Sequence, residues 1–386
     1  MNLNKSNWSN SLIRHLAIEI SERTENPSLS GYERFVGLEE FETGEFKIRK
    51  WITTENLVSA MKLFNSGDIL FARRNAYLRR TSEVDFDGVC SGDAIVLRPN
   101  DNSVKGFLTL LLNTDKFWEY AIANAAGTMS KRVKWRDLAE YTFLLPPLDE
   151  QQRIVDLFQS IEQSITHAEE QEKNLRKLCK SLVDGLISDK PIFGNLLKSK
   201  KLKRVYYRDI ARKLTRKINP VDYGVERIVA GENLEAEDFK IRTWGTVGKD
   251  FLGPAFHVLF QAGDILYGSR RTYLKKVALA DFEGVCANTT YVIRADEEIL
   301  LQDLLKHIML SERFTQYSIG VSKGSTNPYI NWKDLDNFVF EIPDLDAQKM
   351  IANLLDEILA NAEKVREQIV TLKKLKQKLL NEILGG

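Results

Sequence analysis

An internal repeat constrains this chain more than any other feature of its sequence. The segment from Gly67 to Arg98 and the segment from Gly263 to Arg294 align without a gap at an offset of 196, and 14 of their 32 positions are identical. The similarity continues upstream at an offset of 193 and downstream at an offset of 197. A repeat of roughly 190 residues is far longer than the periods of solenoids and propellers. The sequence therefore predicts two copies of one domain-sized unit.

Composition excludes several classes of protein. The chain has 386 residues, enough for two or three domains, and its 55 Lys+Arg against 54 Asp+Glu exclude a uniformly basic coat for nucleic acid. No apolar run approaches the length of a membrane-spanning helix, and the polar N-terminus lacks the apolar region of a signal peptide. Three cysteines do not form a disulfide framework. We therefore expect a cytoplasmic protein.

Each repeat unit is predicted to contain a mixed α/β domain followed by a long helix. Short strands with Gly-containing turns are predicted around GDIL, DFDGVC and AIVLR, and helical spacing of apolar residues runs over 105–120 and 300–317. The predicted boundaries are 1–148 for the first domain, 149–188 for the first long helix, 189–204 for a linker, 205–343 for the second domain and 344–386 for the second long helix.

Both long helices carry a heptad pattern that is typical of a coiled coil. The apolar positions of this predicted coiled coil are Ile154, Phe158, Ile161, Ile165, Leu175, Leu182, Ile351, Leu355, Ile358, Val365, Ile369, Leu372 and Leu379. Each helix is acidic in its first half and basic in its second, so antiparallel packing sets opposite charges against each other. The predicted fold class is α/β (α+β): two duplicated mixed domains separated by an antiparallel two-helix coiled coil with pseudo-twofold symmetry. The alternative is two independent amphipathic helices, each covering its own domain.

Motifs for catalysis and metal binding are missing from the sequence. The four histidines are scattered without the spacing of metal ligands, and no Walker-type phosphate loop or dinucleotide-binding turn is present. Cys90 and Cys286 occupy equivalent strand positions and have no nearby His or Cys partner. We expect no catalytic residue, no metal site and no cofactor in this chain, and buried structural thiols at both positions.

Basic clusters recur at the same place in both units. Directly after each GDIL strand, arginines and lysines surround a tyrosine, and a Gly/Ser/Lys loop lies just before Trp135 or Trp332. Such residues bind phosphates, and arginine also reads guanine in the major groove. A solvated hairpin and a plain connecting loop are the alternatives. The candidate DNA-binding residues are Arg73, Arg74, Tyr77, Arg79, Arg80, Ser130, Lys131 and Arg132 in the first unit, and Arg270, Arg271, Tyr273, Lys275, Lys276, Lys323, Ser325 and Asn327 in the second.

These features together resemble the specificity (S) subunits of type I restriction–modification systems. The resemblance rests on the doubled GDIL…Gly-Val…Leu/Ile-Arg unit, on Trp-x-Asp-Leu before each long helix, and on the helix starts PPLDEQQRI and IPDLDAQKMI. It covers essentially the whole chain. It implies two target recognition domains that each read one half of a bipartite double-stranded DNA site, with the coiled coil setting the distance between the half-sites. The scaffold matches between the units, while Ala72, Arg73, Asn75 and Ala76 become Gly268, Ser269, Arg271 and Thr272, which fits two modules that read different sequences through different contact residues.

The resemblance also implies the partners of such a chain. Two adenine methyltransferase (M) subunits would dock on it, and restriction (R) subunits would complete the complex. S-adenosylmethionine would belong to the M subunits, and ATP and Mg²⁺ to the R subunits, so the chain itself would be a non-catalytic subunit. Two alternatives stay open from the residues: a coiled-coil adaptor that binds proteins rather than DNA, and an autonomous nuclease or methyltransferase, which the missing motifs disfavour.

Overall fold

A computed structural model describes residues 5–127, 130–197, 201–250 and 253–385. The chain divides into two compact units. Unit 1 comprises residues 1–169 and 367–386, and unit 2 comprises residues 170–366. Each unit therefore contains one α/β domain together with a segment of both long helices. Within the described residues, no helix is both long and apolar enough to cross a membrane.

Unit 1 contains eleven described strands in three sheets. The sheets have the orders β1-β11, β2-β10-β7-β8 and β3-β6-β9-β4-β5; all neighbours are antiparallel except the parallel pair β4 and β9. The strands are β1 (Ser9–Leu12), β2 (Ala17–Ile20), β3 (Arg23–Thr24), β4 (Arg34–Val36), β5 (Ile52–Thr53), β6 (Met61–Phe64), β7 (Ile69–Ala72), β8 (Thr81–Glu83), β9 (Gly88–Cys90), β10 (Ala94–Pro99) and β11 (Thr142–Leu145). Its helices are α1 (Phe107–Leu111), α2 (Asp115–Ala123) and α3 (Trp135–Leu138). The long helix α4 (Leu148–Leu186) begins in this unit, which contains its residues up to 169.

Unit 2 repeats this arrangement with ten described strands. Its sheets have the orders β12-β21, β13-β20-β17-β18 and β15-β14-β19-β16, and β14 and β19 are again parallel. The strands are β12 (Lys203–Tyr206), β13 (Ala211–Leu214), β14 (Arg227–Val229), β15 (Gly245–Thr246), β16 (Phe256–Phe260), β17 (Ile265–Gly268), β18 (Val277–Leu279), β19 (Gly284–Ala287), β20 (Thr290–Ala295) and β21 (Val339–Ile342). The helices are α5 (Tyr207–Ile210), α6 (Pro220–Tyr223), α7 (Gln302–Leu310), α8 (Glu312–Gly320), α9 (Trp332–Leu335) and the first part of α10 (Leu345–Leu384).

The predicted helical stretches at 105–120 and 300–317 are each two helices rather than one. Thr114 and Ser311 are buried in extended backbone, and their side chains accept hydrogen bonds from the amides of Phe117 and Phe314. A side chain that caps a helix start satisfies a backbone N–H left without a helical partner. The break at the same place in both units therefore follows from a hydroxyl residue within an otherwise helical apolar pattern.

Both long helices contribute to the core of each unit. In unit 1 the domain core includes Ile154 and Phe158 of α4 together with Leu380 and Ile383 of α10. In unit 2 the core includes Cys179, Val183 and Leu186 of α4 together with Ile351 and Leu355 of α10. The start of one helix thus packs with the end of the other in both units, which confirms the antiparallel pairing and excludes two independent helices. All thirteen predicted coiled-coil residues are buried or half-buried.

Charges along the two helices pair as the sequence predicted. In unit 1, Lys373 binds Glu169 and Glu45 at 2.9 Å each, and Lys376 binds Glu162 at 2.7 Å. In unit 2, Arg176 approaches Glu363 at 3.9 Å. Lys376 occupies a heptad position and is only 3% exposed, because its ammonium also donates to the carbonyl of Gly44 at 2.8 Å. A lysine can occupy this core position because both of its partners are within hydrogen-bonding distance.

Candidate nucleic-acid interface

The turn after strand β7 has an unusual backbone that recurs after β17. In unit 1, Asn75 and Arg79 adopt positive φ values of 54° and 50°, on either side of a 3₁₀ turn at Ala76–Leu78. In unit 2, Arg271 and Lys275 adopt φ values of 48° and 49° around Thr272–Leu274. Non-glycine residues pay an energetic cost in this left-handed region, and such residues concentrate at functional sites. The turn projects Tyr77 and Tyr273, which are 67% and 50% exposed.

The structure brings the predicted basic turn and the predicted Gly/Ser/Lys loop together in unit 1. Arg74 and Arg132 lie opposite each other in an antiparallel bridge, and the amide of Val133 donates to the carbonyl of Arg73 at 2.9 Å. The side chain of Arg74 donates to the hydroxyl of Ser130 at 2.8 Å. Lys131 is exposed. Thr128 and Met129 of this loop lie outside the described residues.

The same two segments meet in unit 2. The backbones of Arg270 and Tyr329 lie opposite each other in an antiparallel bridge, and the amide of Arg271 donates to the carbonyl of Pro328 at 2.7 Å. The backbones of Lys323 and Tyr329 exchange two hydrogen bonds. Ser325 and Asn327 are exposed in the loop between them. We name these surfaces the turn–loop surfaces: residues 73–80 with 130–133 in unit 1, and residues 269–276 with 323–330 in unit 2.

A carboxylate organises the arginines of unit 1. Asp93 accepts hydrogen bonds from Arg132 at 2.8 and 3.4 Å and lies 3.7 Å from Arg74. The hydrogen bond from Arg132, with the nearby charges of Arg132, Arg74 and Arg73, lowers the pKa of Asp93. The Nε atom of Arg73 is buried without a hydrogen-bond partner among the described residues. Asp93 therefore holds Arg74 and Arg132 in defined positions at the surface, while the unpartnered Nε of Arg73 lies beneath it.

Unit 2 has a different charge arrangement at the equivalent positions. Thr289 occupies the position of Asp93, and its carbonyl accepts the hydroxyl of Ser269 at 2.6 Å. Arg270 and Arg271 are exposed, and neither guanidinium makes a hydrogen bond or ion pair within the described part of the chain. An arginine without a protein partner is free to pair with an anion or with a base edge.

Besides Arg74 and Arg132, which pair with Asp93, and Lys323, whose Nζ lies 3.4 Å from Asp334, four more of the predicted DNA-binding cations have partners inside their own unit. Arg79 pairs with Asp115 at 2.6 Å, and Lys275, at the equivalent position, pairs with Glu312 at 2.8 Å. Arg80 donates to the carbonyl of Leu38 at 2.6 Å, and Lys276 donates to that of Gly231 at 2.5 Å.

Burial opposes the charge of Lys275, yet Glu312 and Glu237 raise its pKa. Hydrogen bonds from Gln316 and Lys275 lower the pKa of Glu312 to about 2. These repeated contacts tie the turn to the rest of each domain, so the four cations hold the turn in place, and their direct contact with DNA stays a prediction.

Two residues of these surfaces were missed in the sequence prediction. Tyr329 is 42% exposed and stands where Arg132 stands in unit 1, since the offset there is 197. Asp93 was also missed, although the offset of 196 pairs it with Thr289 and so shows an acid present in only one unit. A position-by-position comparison of the two units could have found both.

Comparison with known protein families identifies the family to which the two repeat units belong. The family model for the type I restriction modification DNA specificity domain matches residues 40–176 and again residues 216–374, which together cover more than half of the chain. The chain belongs to this family of type I DNA specificity domains. The two matches correspond to the two repeat units, so each specificity domain carries one turn–loop surface.

Related proteins agree with this assignment. The chain is 30% identical over 161 residues to the EcoDI specificity subunit of Escherichia coli, an alignment that spans 42% of this chain but only 35% of that protein. A chain from a structure on complex assembly and conformational transition of the type I R-M system shares the fold, with a TM-score of 0.57, 22% identity and 97% coverage of both chains. The S subunit of a type I system from M. genitalium has a TM-score of 0.53 and 14% identity, with 100% of this chain and 98% of that chain covered.

Proposed function

We propose that this chain is the specificity subunit of a type I restriction–modification complex, with no active site of its own. Each specificity domain binds one half of a bipartite double-stranded DNA target through its turn–loop surface. The observation that carries this proposal is the recurrence of one strained turn and one loop in both units, with matching backbones and different exposed side chains. A shared scaffold with different contact residues is what two modules reading different sequences require.

Different residues of each turn–loop surface contact different parts of the DNA. Lys131 and Lys323 supply charge for phosphates, which gives affinity without sequence information. Arg270 and Arg271 are free to donate paired hydrogen bonds to guanine, while Arg74 and Arg132 are oriented by Asp93. Tyr77 and Tyr273 occupy the tip of the turn in both units and supply apolar contact. The first half-site is thus read by fixed arginines and the second by free ones.

The long helices carry the geometric part of the proposed mechanism. Both are continuous over about forty residues, and each contributes to the cores of both units. The proposed coiled coil holds the two half-sites about one helical turn of DNA apart. The complex would act in the cytoplasm, with two methyltransferase subunits that bind S-adenosylmethionine and restriction subunits that use ATP and Mg²⁺.

The decisive experiment is long-read detection of methylated adenines in DNA from cells that produce this chain with the methyltransferase subunit encoded beside it. We expect a split motif with a fixed gap, present only when this chain is present. A continuous motif would mean that only one specificity domain reads sequence. Absence of any methylation that depends on this chain would contradict the proposal and favour an adaptor that binds only proteins.

A binding measurement with variants tests the surface itself. Arg270→Ala removes an unpaired guanidinium, so we expect the affinity for a duplex carrying both half-sites to fall about tenfold or more. Lys349→Ala is the matched control, because Lys349 is an exposed cation at the start of α10. Fluorescence anisotropy over a series of salt concentrations measures both affinity and the number of phosphate contacts. Equal affinities of the two variants would remove Arg270 from the interface.

A further inference from the structure

Outside the turn–loop surfaces, the two units share a cluster of a half-buried arginine, an exposed tryptophan and a phenylalanine. In unit 1 the guanidinium of Arg34 lies 4.6 Å from the ring centre of Trp51 and 4.8 Å from that of Phe86. In unit 2 the guanidinium of Arg227 lies 4.8 Å from Trp244 and 4.5 Å from Phe282. We name these clusters the aromatic–arginine patches: Arg34, Trp51 and Phe86, and Arg227, Trp244 and Phe282.

The geometry of the patches is reproduced closely between the units. The Trp and Phe rings are 5.2 Å apart in both, with interplanar angles of 55° and 58°. Each phenylalanine packs on a second ring 5.7 Å away, Phe64 or Phe260, which anchors the patch to the core of its sheet. The patches are therefore rigid and built in the same way.

Each patch also remains open to solvent at its tryptophan, and its guanidinium has unused donors. Trp51 and Trp244 are 45% and 44% exposed. The backbones of Arg34 and Arg227 pair with a neighbouring strand, but neither guanidinium makes a hydrogen bond or ion pair with any residue that the structure describes, and both contact the two rings. Half-exposed tryptophan and arginine are the residues that most often dominate the binding energy of protein interfaces. A half-exposed tryptophan beside an arginine with unused donors, repeated on both units and held by a phenylalanine of the core, indicates a binding surface.

Charge around the patches decides between DNA and protein as the partner. Glu33 precedes Arg34, and Asp85 and Asp87 flank Phe86; all three acids are exposed. In unit 2 the same positions are Glu226, Asp281 and Glu283, again all exposed. Lys50, which precedes Trp51, is an exposed cation in unit 1, and Thr243 takes its place in unit 2, so the flanking acids still outnumber the cations of each patch. Such an excess of acid repels phosphate, whereas it complements lysines and arginines on a protein surface.

The duplication decides how many partners bind. Some residues of the turn–loop surfaces differ between the units, as Arg132 and Tyr329 do, whereas all three residues of the patch are the same in both. A surface that is the same on both units has to meet the same partner twice. The patches therefore fit two copies of one protein, each presenting an apolar side chain surrounded by basic residues.

We propose that each aromatic–arginine patch docks one copy of the same protein, and that within the proposed function this protein is the methyltransferase subunit. The patch then places one methyltransferase beside each specificity domain. Only the identity of the partner rests on the proposed function. The docking surface and the number of copies follow from the repeat itself.

The test is the stoichiometry and affinity of the complex between the full chain and the methyltransferase encoded beside it, measured by native mass spectrometry and by titration. The wild-type chain is expected to bind two copies. Trp51→Ala and Trp244→Ala should each weaken one of the two sites about tenfold or more, and the double variant should weaken both. Leu29→Ala is the control, because Leu29 is 80% exposed and its equivalent in unit 2 is Asp222.

A second pair of variants keeps the test independent of any loss of stability. Asp85→Lys with Asp281→Lys leaves the three stacked residues in place and reverses charge beside them, so it should also weaken assembly. Unchanged binding of two copies by both sets of variants would overturn the proposal, and so would weaker DNA binding with assembly intact. Failure of the proposed function would appear differently, as a wild-type chain that directs no split methylation and shows no salt-sensitive DNA binding.

Discussion

Single residues account for the main difference between the two turn–loop surfaces. Asp93 holds Arg74 and Arg132 in unit 1, whereas with Thr289 at the equivalent position Arg270 and Arg271 have no acidic partner among the described residues. A carboxylate that neutralises two arginines reduces their attraction to any DNA but fixes the direction of their donors. The first surface is thus built for orientation and the second for adaptable contact.

Replacing Asp93 tests this difference. In Asp93→Asn the two arginines lose their anionic partner, so affinity for unrelated DNA should hold or rise while preference for the first half-site falls about tenfold. Preference is measured as the ratio of affinities for the target duplex and for duplexes with either half-site scrambled. The second half-site should be read as before, and Asp101→Asn, an exposed acid elsewhere in unit 1, should change neither ratio. An unchanged ratio in Asp93→Asn would show that the ion pairs of Asp93 do not contribute to recognition of the first half-site.

The three thiols give a second prediction at the residue scale. Burial raises the pKa of Cys90, Cys179 and Cys286 to about 12 in each case. Since the thiolate is the reactive form, these cysteines should stay protonated and inert near pH 8. A thiol-reactive dye should therefore label none of the three in the native chain and all three in denaturant. Rapid labelling of one cysteine in the native chain would contradict the packing described above.

At the scale of elements, one glutamine explains the doubled motif at the start of each long helix. The Gln151 side chain is buried, accepts from the amide of Val104 at 2.9 Å and donates to the carbonyl of Pro146 at 2.8 Å. Gln348 accepts from the amide of Leu301 and donates to the carbonyls of Pro343 and Ile299. The Pro-x-Leu-Asp-x-Gln motif therefore fixes the first turn of each long helix to its own domain.

Removal of this glutamine should destabilise one unit at a time. Gln151→Leu leaves the buried carbonyl of Pro146 without this partner, which costs about 1–3 kcal/mol in the free energy of unfolding, and the half-buried amide of Val104 adds a smaller cost. We expect a lower midpoint for the transition of unit 1 in denaturant, and Gln348→Leu should act likewise on unit 2. Gln152→Leu is the control, because that neighbouring side chain is exposed. Equal midpoints for Gln151→Leu and Gln152→Leu would refute the docking role.

At the scale of the whole molecule, the proposed role of the two long helices in setting the distance between half-sites makes a geometric prediction. Inserting seven residues at matched points of α4 and α10 adds one heptad and about 10 Å of helix, since the rise is about 1.5 Å per residue. That length corresponds to about three base pairs of DNA. Long-read methylation mapping should then show a longer gap between two unchanged half-sites. A changed half-site sequence, or an unchanged gap, would contradict a spacer made of the two helices.

Much of this architecture follows from patterns that are local in sequence or repeated within it. The offsets of 193, 196 and 197 predict the duplication, and the heptads with their acidic and basic halves predict antiparallel pairing. These predictions are confirmed because periodicity and charge act along an element, whatever it packs against. The domain boundaries and the DNA contacts stay predictions.

What only the tertiary structure decided is how each polar side chain is used. The sequence presents Arg74 and Arg79 as equal members of one basic cluster, but Arg74 contacts Asp93 and Ser130 beside the loop, whereas Arg79 pairs with Asp115 on α2. Lys376 is polar in the heptad yet buried, because Glu162 and the Gly44 carbonyl meet it there. Such roles depend on partners that are distant in the chain, and only folding brings those partners within hydrogen-bonding distance.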